Sequence, residues 1–177
     1  REPKACFTSD DDAVFEQVYD IDLSTIQPIV AKPHFVDNVV PAKESLGVKI
    51  DEAFLGSCNN GRIEDLRVGA AIIKGKKVAP KVRFIVVPAS RSVYLQAMKE
   101  GLLDIFMDAG AIVMNPNCSV CWGSCQGVIG EGETLISTGT RNFKGRAGHK
   151  DSFVYLASAA TVTASAIKGE IATADMV

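Results

Sequence analysis

The sequence predicts an α/β fold, a three-layer α/β/α domain with a mainly parallel sheet, over residues 48–177. Three observations predict it. Strand and helix signals alternate from Val48 onward. Residues 82–87 are rich in valine and lack regular polar alternation, as expected of a strand buried on both faces. The stretches between the strand signals carry apolar residues at helical spacing, as parallel crossovers require.

The elements follow in order. The first 47 residues read as an irregular connecting segment or arm. Its acidic run Asp10-Asp11-Asp12 and Pro28, Pro33 and Pro41 argue against one long element, with short β-like pieces such as residues 15–21. Residues 49–56 read as a strand. Asn59 or Asn60 can cap a helix in which Ile63, Leu66, Ala70 and Ile73 share a face, and Glu64 and Asp65 suit the positive end of its dipole. After the strand at 82–87, Ser90 can cap a helix that aligns Val93, Tyr94, Ala97 and Met98, and Gly101 interrupts it. Residues 102–109 read as a further helix ending at Gly110, 111–114 as a short strand, and the alanine-rich 157–167 as a closing helix. In parallel sheets ligands gather at loops after the carboxyl ends of strands. Cys58 directly follows one strand, and Cys118 follows another after Asn115-Pro116-Asn117.

A chain of 177 residues suffices for one domain with a buried core. Its net charge of −2 gives no reason to expect nucleic acid or an anionic membrane as partner. No apolar run approaches the roughly 18 residues of a membrane span. The chain starts Arg1-Glu2-Pro3-Lys4, neither an initiator nor a signal peptide, so a fragment of a longer protein is expected. Of the five cysteines, three (Cys118, Cys121 and Cys125) fall within eight residues. An odd, clustered set fits reduced thiols or a metal site better than a disulfide framework, and points to the cytoplasm. Cys6 reads as an incidental thiol.

Cys118-Ser-Val-Cys121 lets two thiolates serve one centre from a tight turn. By spacing alone it allows structural zinc, a redox dithiol or an iron–sulfur cluster. Zinc lacks a second knuckle, since Cys58 lies in Gly-Ser-Cys-Asn-Asn and neither His34 nor His149 has ligand spacing. A redox dithiol is expected at the first strand–helix junction rather than this late. The balance tilts toward three thiolates on one cluster, with the choice open.

Three motifs then carry a resemblance. Residues 54–66, Phe-Leu-Gly-Ser-Cys-Asn-Asn-Gly-Arg-Ile-Glu-Asp-Leu, resemble the first signature of the aconitase superfamily. Residues 110–123, which contain Asn115-Pro-Asn-Cys-Ser-Val-Cys-Trp122, resemble the second, and Arg141-Asn-Phe-Lys-Gly-Arg146 resembles the substrate-binding stretch that follows. The nearest branch is the two-subunit one, the isopropylmalate dehydratase and homoaconitase large subunits. Asn59 and Thr140 depart from the usual pattern, which leaves a dimethylmalate-type dehydratase open. The resemblance implies a hydro-lyase acting on a hydroxy di- or tricarboxylic acid, in leucine biosynthesis for the first of these. It implies a 4Fe–4S cluster held by Cys58, Cys118 and Cys121 through three irons, the fourth left open to substrate. Such a cluster is readily lost in air. Arg141 and Arg146 are implied as carboxylate ligands, their forks matching carboxylate geometry.

No catalytic acid or base is assignable in this chain. Those groups are implied on two preceding domains and on a small, swivelling-domain subunit, so this chain alone is expected to be inactive. His149 reads as a solvated loop residue, Trp122 as a cover for the cluster or a core aromatic, and Cys125 as a spare thiol in preference to a fourth ligand that would block the open iron. The alternative of another class is a non-catalytic metal- or cluster-binding structural domain.

Overall fold

The computed structural model describes residues 7–177, so Cys6 and the first few residues lie outside it. Seven strands form one sheet: β1 (Ile29–Ala31), β2 (Val39–Pro41), β3 (Glu52–Gly56), β4 (Arg83–Val87), β5 (Ile112–Val113), β6 (Thr134–Ser137) and β7 (Phe153–Ala157). Their order is β2-β1-β7-β6-β3-β4-β5. The pairs β3–β4, β3–β6, β4–β5 and β6–β7 are parallel, whereas β1 runs antiparallel to both β2 and β7. The α/β fold with a mainly parallel sheet expected from the sequence is the one observed.

The helices are α1 (Ser57–Asn60), α2 (Ile63–Ile73), α3 (Arg91–Lys99), α4 (Leu102–Asp108) and α5 (Ala159–Lys168). Alternation along β3 and β4 sorts side chains to two faces. Ala53, Leu55, Phe84 and Val86 point to one, where they meet Leu66, Ala70 and Ile73 of α2, Ala97 of α3, Phe106 of α4 and Val162 and Ala166 of α5. Phe54, Ile85, Val87, Leu135 and Val154 point to the other, where they meet Val120, Ile129 and Ala147. Burying each large apolar side chain contributes about 1.5–3 kcal/mol. The two faces are therefore covered differently. The crossovers β3–β4 and β4–β5 carry helices, while the crossovers 114–133 and 138–152 run irregularly across the opposite face. These last two are joined by a parallel bridge between Ile129 and Gly148.

Several local expectations change. The cap of α2 is not Asn59 or Asn60. Gly61 separates the short α1 from α2, and the Asp65 carboxylate accepts from the Arg62 backbone N–H at 3.0 Å. Ser90 does cap α3, accepting from the Val93 N–H. The closing helix begins after Ser158, whose hydroxyl accepts from the Thr161 N–H, and Ala157 belongs to β7 instead. Within the stretch read as a connecting arm, β1 and β2 join the sheet. Residues 7–28 contain one 3-10 turn, Leu23–Thr25, and leave Phe7, Val14, Phe15, Val18, Tyr19 and Ile21 exposed. No described helix is long and apolar enough to cross a membrane.

At the amino ends of the central strands lies a partly buried triad of Glu52, Arg83 and Glu133. Glu52 is fully inaccessible, and its Oε2 accepts from Arg83 Nε at 2.8 Å. The same guanidinium donates twice to Glu133, at 2.9 and 2.7 Å. Glu52 Oε1 has no partner. Burial pushes the Glu52 carboxyl up to about 7 from an ordinary 4.5, against the pull of Arg83. Arg83 in turn holds Glu133 below its usual range. Because the native state retains a proton that the unfolded chain releases, stability falls as pH rises from about 4.5 to 7 and is level above that. Glu52→Gln removes this dependence. Denaturant unfolding at pH 5 and pH 7.5 is expected to show wild type losing up to about 3 kcal/mol relative to the variant over that interval.

Candidate functional site

The strand order reverses between β3 and β6. From β3 the chain moves outward through β4 to β5, then returns to β6 on the other side of β3 and continues to β7. Diverging connections leave a crevice at such a point, at the carboxyl ends of the strands. Because β3 to β7 are mutually parallel, those ends share one edge. Cys58 lies in α1 directly after β3, Cys118 comes five residues after β5, and Arg141 comes four residues after β6.

Thr138, which sequence reasoning missed, stitches this edge together. Its backbone N–H continues the ladder to Phe54 O at 3.0 Å. Its hydroxyl then accepts from the Gly56 N–H at 2.9 Å, and its carbonyl accepts from the Asn60 amide. The Cys58 loop is thus clamped on both sides to the end of β6. The next residue, Gly139, reaches the other cysteine loop: a side-chain carbon there would come within 3.9 Å of Cys121 Sγ. No motif marks Thr138 in the sequence. Its role follows from the register of β3 on β6.

The cysteine and arginine loops also touch. Gly123 (φ +78°) packs against the Arg146 carbonyl, leaving no room for a side chain. Beyond it, the Ile129 N–H donates to Ala147 O at 3.1 Å and the His149 N–H to Ile129 O at 2.9 Å. Ser119 is buried; its hydroxyl donates to Gln126 O at 2.7 Å, closing the cysteine turn. Two non-glycine residues with positive φ flank cysteines here, Ser57 (68°) before Cys58 and Ser119 (45°) after Cys118. Such backbone costs on the order of 1–3 kcal/mol and is concentrated where side chains must be aimed.

Cys58, Cys118, Cys121 and Cys125 are all free thiols; Cys121 is half-buried and the others are exposed. Among the described residues, no three His, Cys, Asp or Glu side chains converge on a single metal ion. Arg141 is exposed and donates from Nη1 only to Thr140 O, at 2.8 Å. Arg146 is half-buried, lies over the Phe143 ring at 5.4 Å, and keeps a buried Nε without a partner. Among the described residues neither guanidinium is paired with a carboxylate, in contrast to Arg83, Arg67 and their glutamates. His149 turns Nδ1 to the Asp151 N–H, a local turn contact. Trp122 is 60% exposed and fills no core position. An open, largely apolar groove of about 570 Å3 adjoins the edge, lined in part by Ile29, Val36, Val39, Leu156, Asn60, Thr138 and Gly139.

A family model described as the aconitase family (aconitate hydratase) matches residues 42–169. The chain belongs to the aconitase family. It is 52% identical over 172 residues to the 3-isopropylmalate dehydratase large subunit of Hydrogenobaculum sp., a match covering 97% of this chain and 41% of the relative. The corresponding subunit of Aquifex aeolicus is 53% identical over 182 residues, covering 100% of this chain and 42% of the relative. The probable large subunit of Methanothermobacter thermautotrophicus is 52% identical over 169 residues, 96% of this chain and 40% of that one. The chain therefore spans about 41% of the length of such relatives.

Thr138→Val keeps the shape and removes the acceptor, leaving the buried Gly56 N–H unpaired. Denaturant unfolding is expected to show a loss of about 1–3 kcal/mol, with Thr138→Ser near wild type.

Proposed function

We propose that this chain is the cluster- and carboxylate-binding part of the large subunit of a hydro-lyase of 3-isopropylmalate dehydratase type, with Cys58, Cys118 and Cys121 as cluster ligands. The observation that carries it is the meeting, at one sheet edge, of two cysteine loops and a loop bearing two arginines free of acidic partners. The donor set fits a 4Fe–4S cluster. All three thiols are free and reachable, and a cubane takes each thiolate to a different iron, so they need not converge as a single-ion site requires. When bound, the cluster supplies an iron without a protein ligand, a Lewis acid for the hydroxyl that leaves.

The chain's own residues supply position and charge. Arg141 and Arg146 hold the two carboxylates of a hydroxy di-acid by paired N–H donors. Phe143 backs the Arg146 guanidinium and orients its fork. Elimination also needs a base for the proton on the neighbouring carbon. The one histidine near the arginines in sequence is engaged in its own turn, so we assign the base to other parts of the assembly. These are the remainder of the large subunit and, as the relatives' name implies, a small-subunit partner. In that assembly residues 48–177, with the β1–β2 hairpin added to their sheet, form the cluster-binding domain, and residues 7–28 connect it to the rest; the exposed apolar row from Phe7 to Ile21 suits a covered surface. Free thiols fit a reducing compartment, the cytoplasm. The relatives' name favours isopropylmalate over homoaconitate or dimethylmalate as substrate.

Anaerobic reconstitution of the full-length large subunit with iron and sulfide tests the ligand set. A broad absorbance near about 400 nm is expected, lost in Cys58→Ser, Cys118→Ser and Cys121→Ser and kept in Cys125→Ser. With the small subunit added, wild type is expected to dehydrate isopropylmalate and each of the three ligand variants to be inactive. Zinc binding without iron, or activity that survives loss of all three thiols, overturns the assignment.

A further inference from the structure

The hairpin formed by β1 and β2 lies more than 100 residues from the arginine loop in sequence, yet it is bonded to that loop's centre. Asn142, between Arg141 and Phe143, is fully inaccessible. Its amide nitrogen donates to Lys32 O at 2.9 Å and to Phe35 O at 3.1 Å. Both acceptors belong to the hairpin turn. That turn is closed by its own bonds, Lys32 N–H to Asn38 O at 2.9 Å, Asn38 N–H to Phe35 O at 3.3 Å and the Asn38 amide to Pro33 O at 3.3 Å. Asn142 Oδ1 is buried without a partner. Turning the amide over would aim that oxygen at two carbonyl oxygens, so the donors fix its orientation.

The geometry has a mechanical consequence. The arginine loop leaves β6 at Ser137 and has no regular structure until β7 begins at Phe153. Between the Thr138 stitch and the Ile129–Gly148 bridge, Asn142 is its one buried polar anchor to a distant element. Arg141 adjoins that anchor, and Arg146 is linked to it through Phe143 and the Arg146 N–H to Phe143 O bond at 2.9 Å. The hairpin itself is held by β1 pairing with β7, the strand that follows the loop. The chain between Ser137 and Phe153 is thus framed by the hairpin at its middle and, where the His34 ring lies 5.9 Å from that of Phe153, at its exit.

We infer that Asn142 is a positioning residue: through it the β1–β2 hairpin, outside the cysteine and arginine motifs, sets where Arg141 and Arg146 meet the substrate carboxylates. This rests on the hydro-lyase assignment above for the identity of the ligand, but not for the mechanical coupling. Loosening the clamp weakens carboxylate binding equally in the ground and transition states, which raises KM and leaves kcat nearly unchanged.

The test uses the reconstituted two-subunit holoenzyme with isopropylmalate, comparing wild type, Asn142→Ala, Asn38→Ala and Ser165→Ala. Ser165 supports α5 on the opposite face, its hydroxyl donating to Thr161 O at 2.7 Å, and so controls for lost stability alone. Asn142→Ala is expected to raise KM about tenfold or more with kcat within about threefold, with the cluster absorbance unchanged. Asn38→Ala, an exposed change that loosens only the turn, is expected to shift KM in the same direction by less. Amide hydrogen exchange is expected to rise in residues 141–147 and 32–38 together in Asn142→Ala, and in neither for Ser165→Ala. An unchanged KM with unchanged exchange in Asn142→Ala and Asn38→Ala overturns the inference, as does an equal KM rise in Ser165→Ala. If the wild-type holoenzyme is inert toward isopropylmalate, the hydro-lyase assignment fails by itself. The exchange coupling between the two segments then decides the positioning role, its presence supporting it and its absence overturning it.

Discussion

Parallel pairing of β3 with β4 on one side and β6 on the other is the constraint on which the rest of the molecule depends. Parallel strands deliver all their carboxyl ends to one edge, whatever the length of the connections between them. Loops separated by about 60 residues in sequence therefore begin side by side. The Thr138 hydroxyl and carbonyl then turn adjacency into a fixed relation between the Cys58 loop and the end of β6. Neither the cysteines nor the arginines would share a site without that register.

The two faces of the sheet do different work. On one, helices satisfy their own backbone groups and need only supply an apolar stripe. On the other, chain without regular structure must cover Phe54, Ile85, Val87, Leu135 and Val154 and still find partners for its own N–H and C=O groups. It finds them in side chains and in its neighbour: Ser119 to Gln126 O, Ile129 paired with Gly148, Asn142 bonded to the hairpin. This irregular layer carries Cys118, Cys121, Arg141 and Arg146. Helices in these crossovers would have pointed side chains along fixed directions. Loops allow sulfur and guanidinium to be aimed at a common edge, at the cost of positive φ at Ser119 and a close approach at Gly123.

Charge is segregated in the same way. At the amino ends of the strands, Arg83 is shared between Glu52 and Glu133, with one N–H of each of its three nitrogens engaged. At the carboxyl ends, Arg141 and Arg146 have no carboxylate partner among the described residues. The first arrangement ties three strands together; the second leaves two guanidiniums without a carboxylate at the crevice end of the sheet.

The sequence by itself determined the α/β class, the core strands at 83–87 and 52–56, and the buried face of α2, because apolar periodicity survives any tertiary context. It also determined the cysteine and arginine candidates, because their residue types and spacings carry chemistry directly. Other features were not legible. β1 and β6 are only three and four residues long, too short for a periodic signal, and exist because a neighbouring strand completes their ladders. Asn60 has the right type for a helix cap, but it closes α1 instead, and its amide nitrogen donates to the Thr138 carbonyl, far away in sequence. Thr138, Asn142 and Gly123 look ordinary in the chain. Only the tertiary structure decided what they do, since a hydrogen bond or a close approach between loops is set by strand register and by which face each crossover covers.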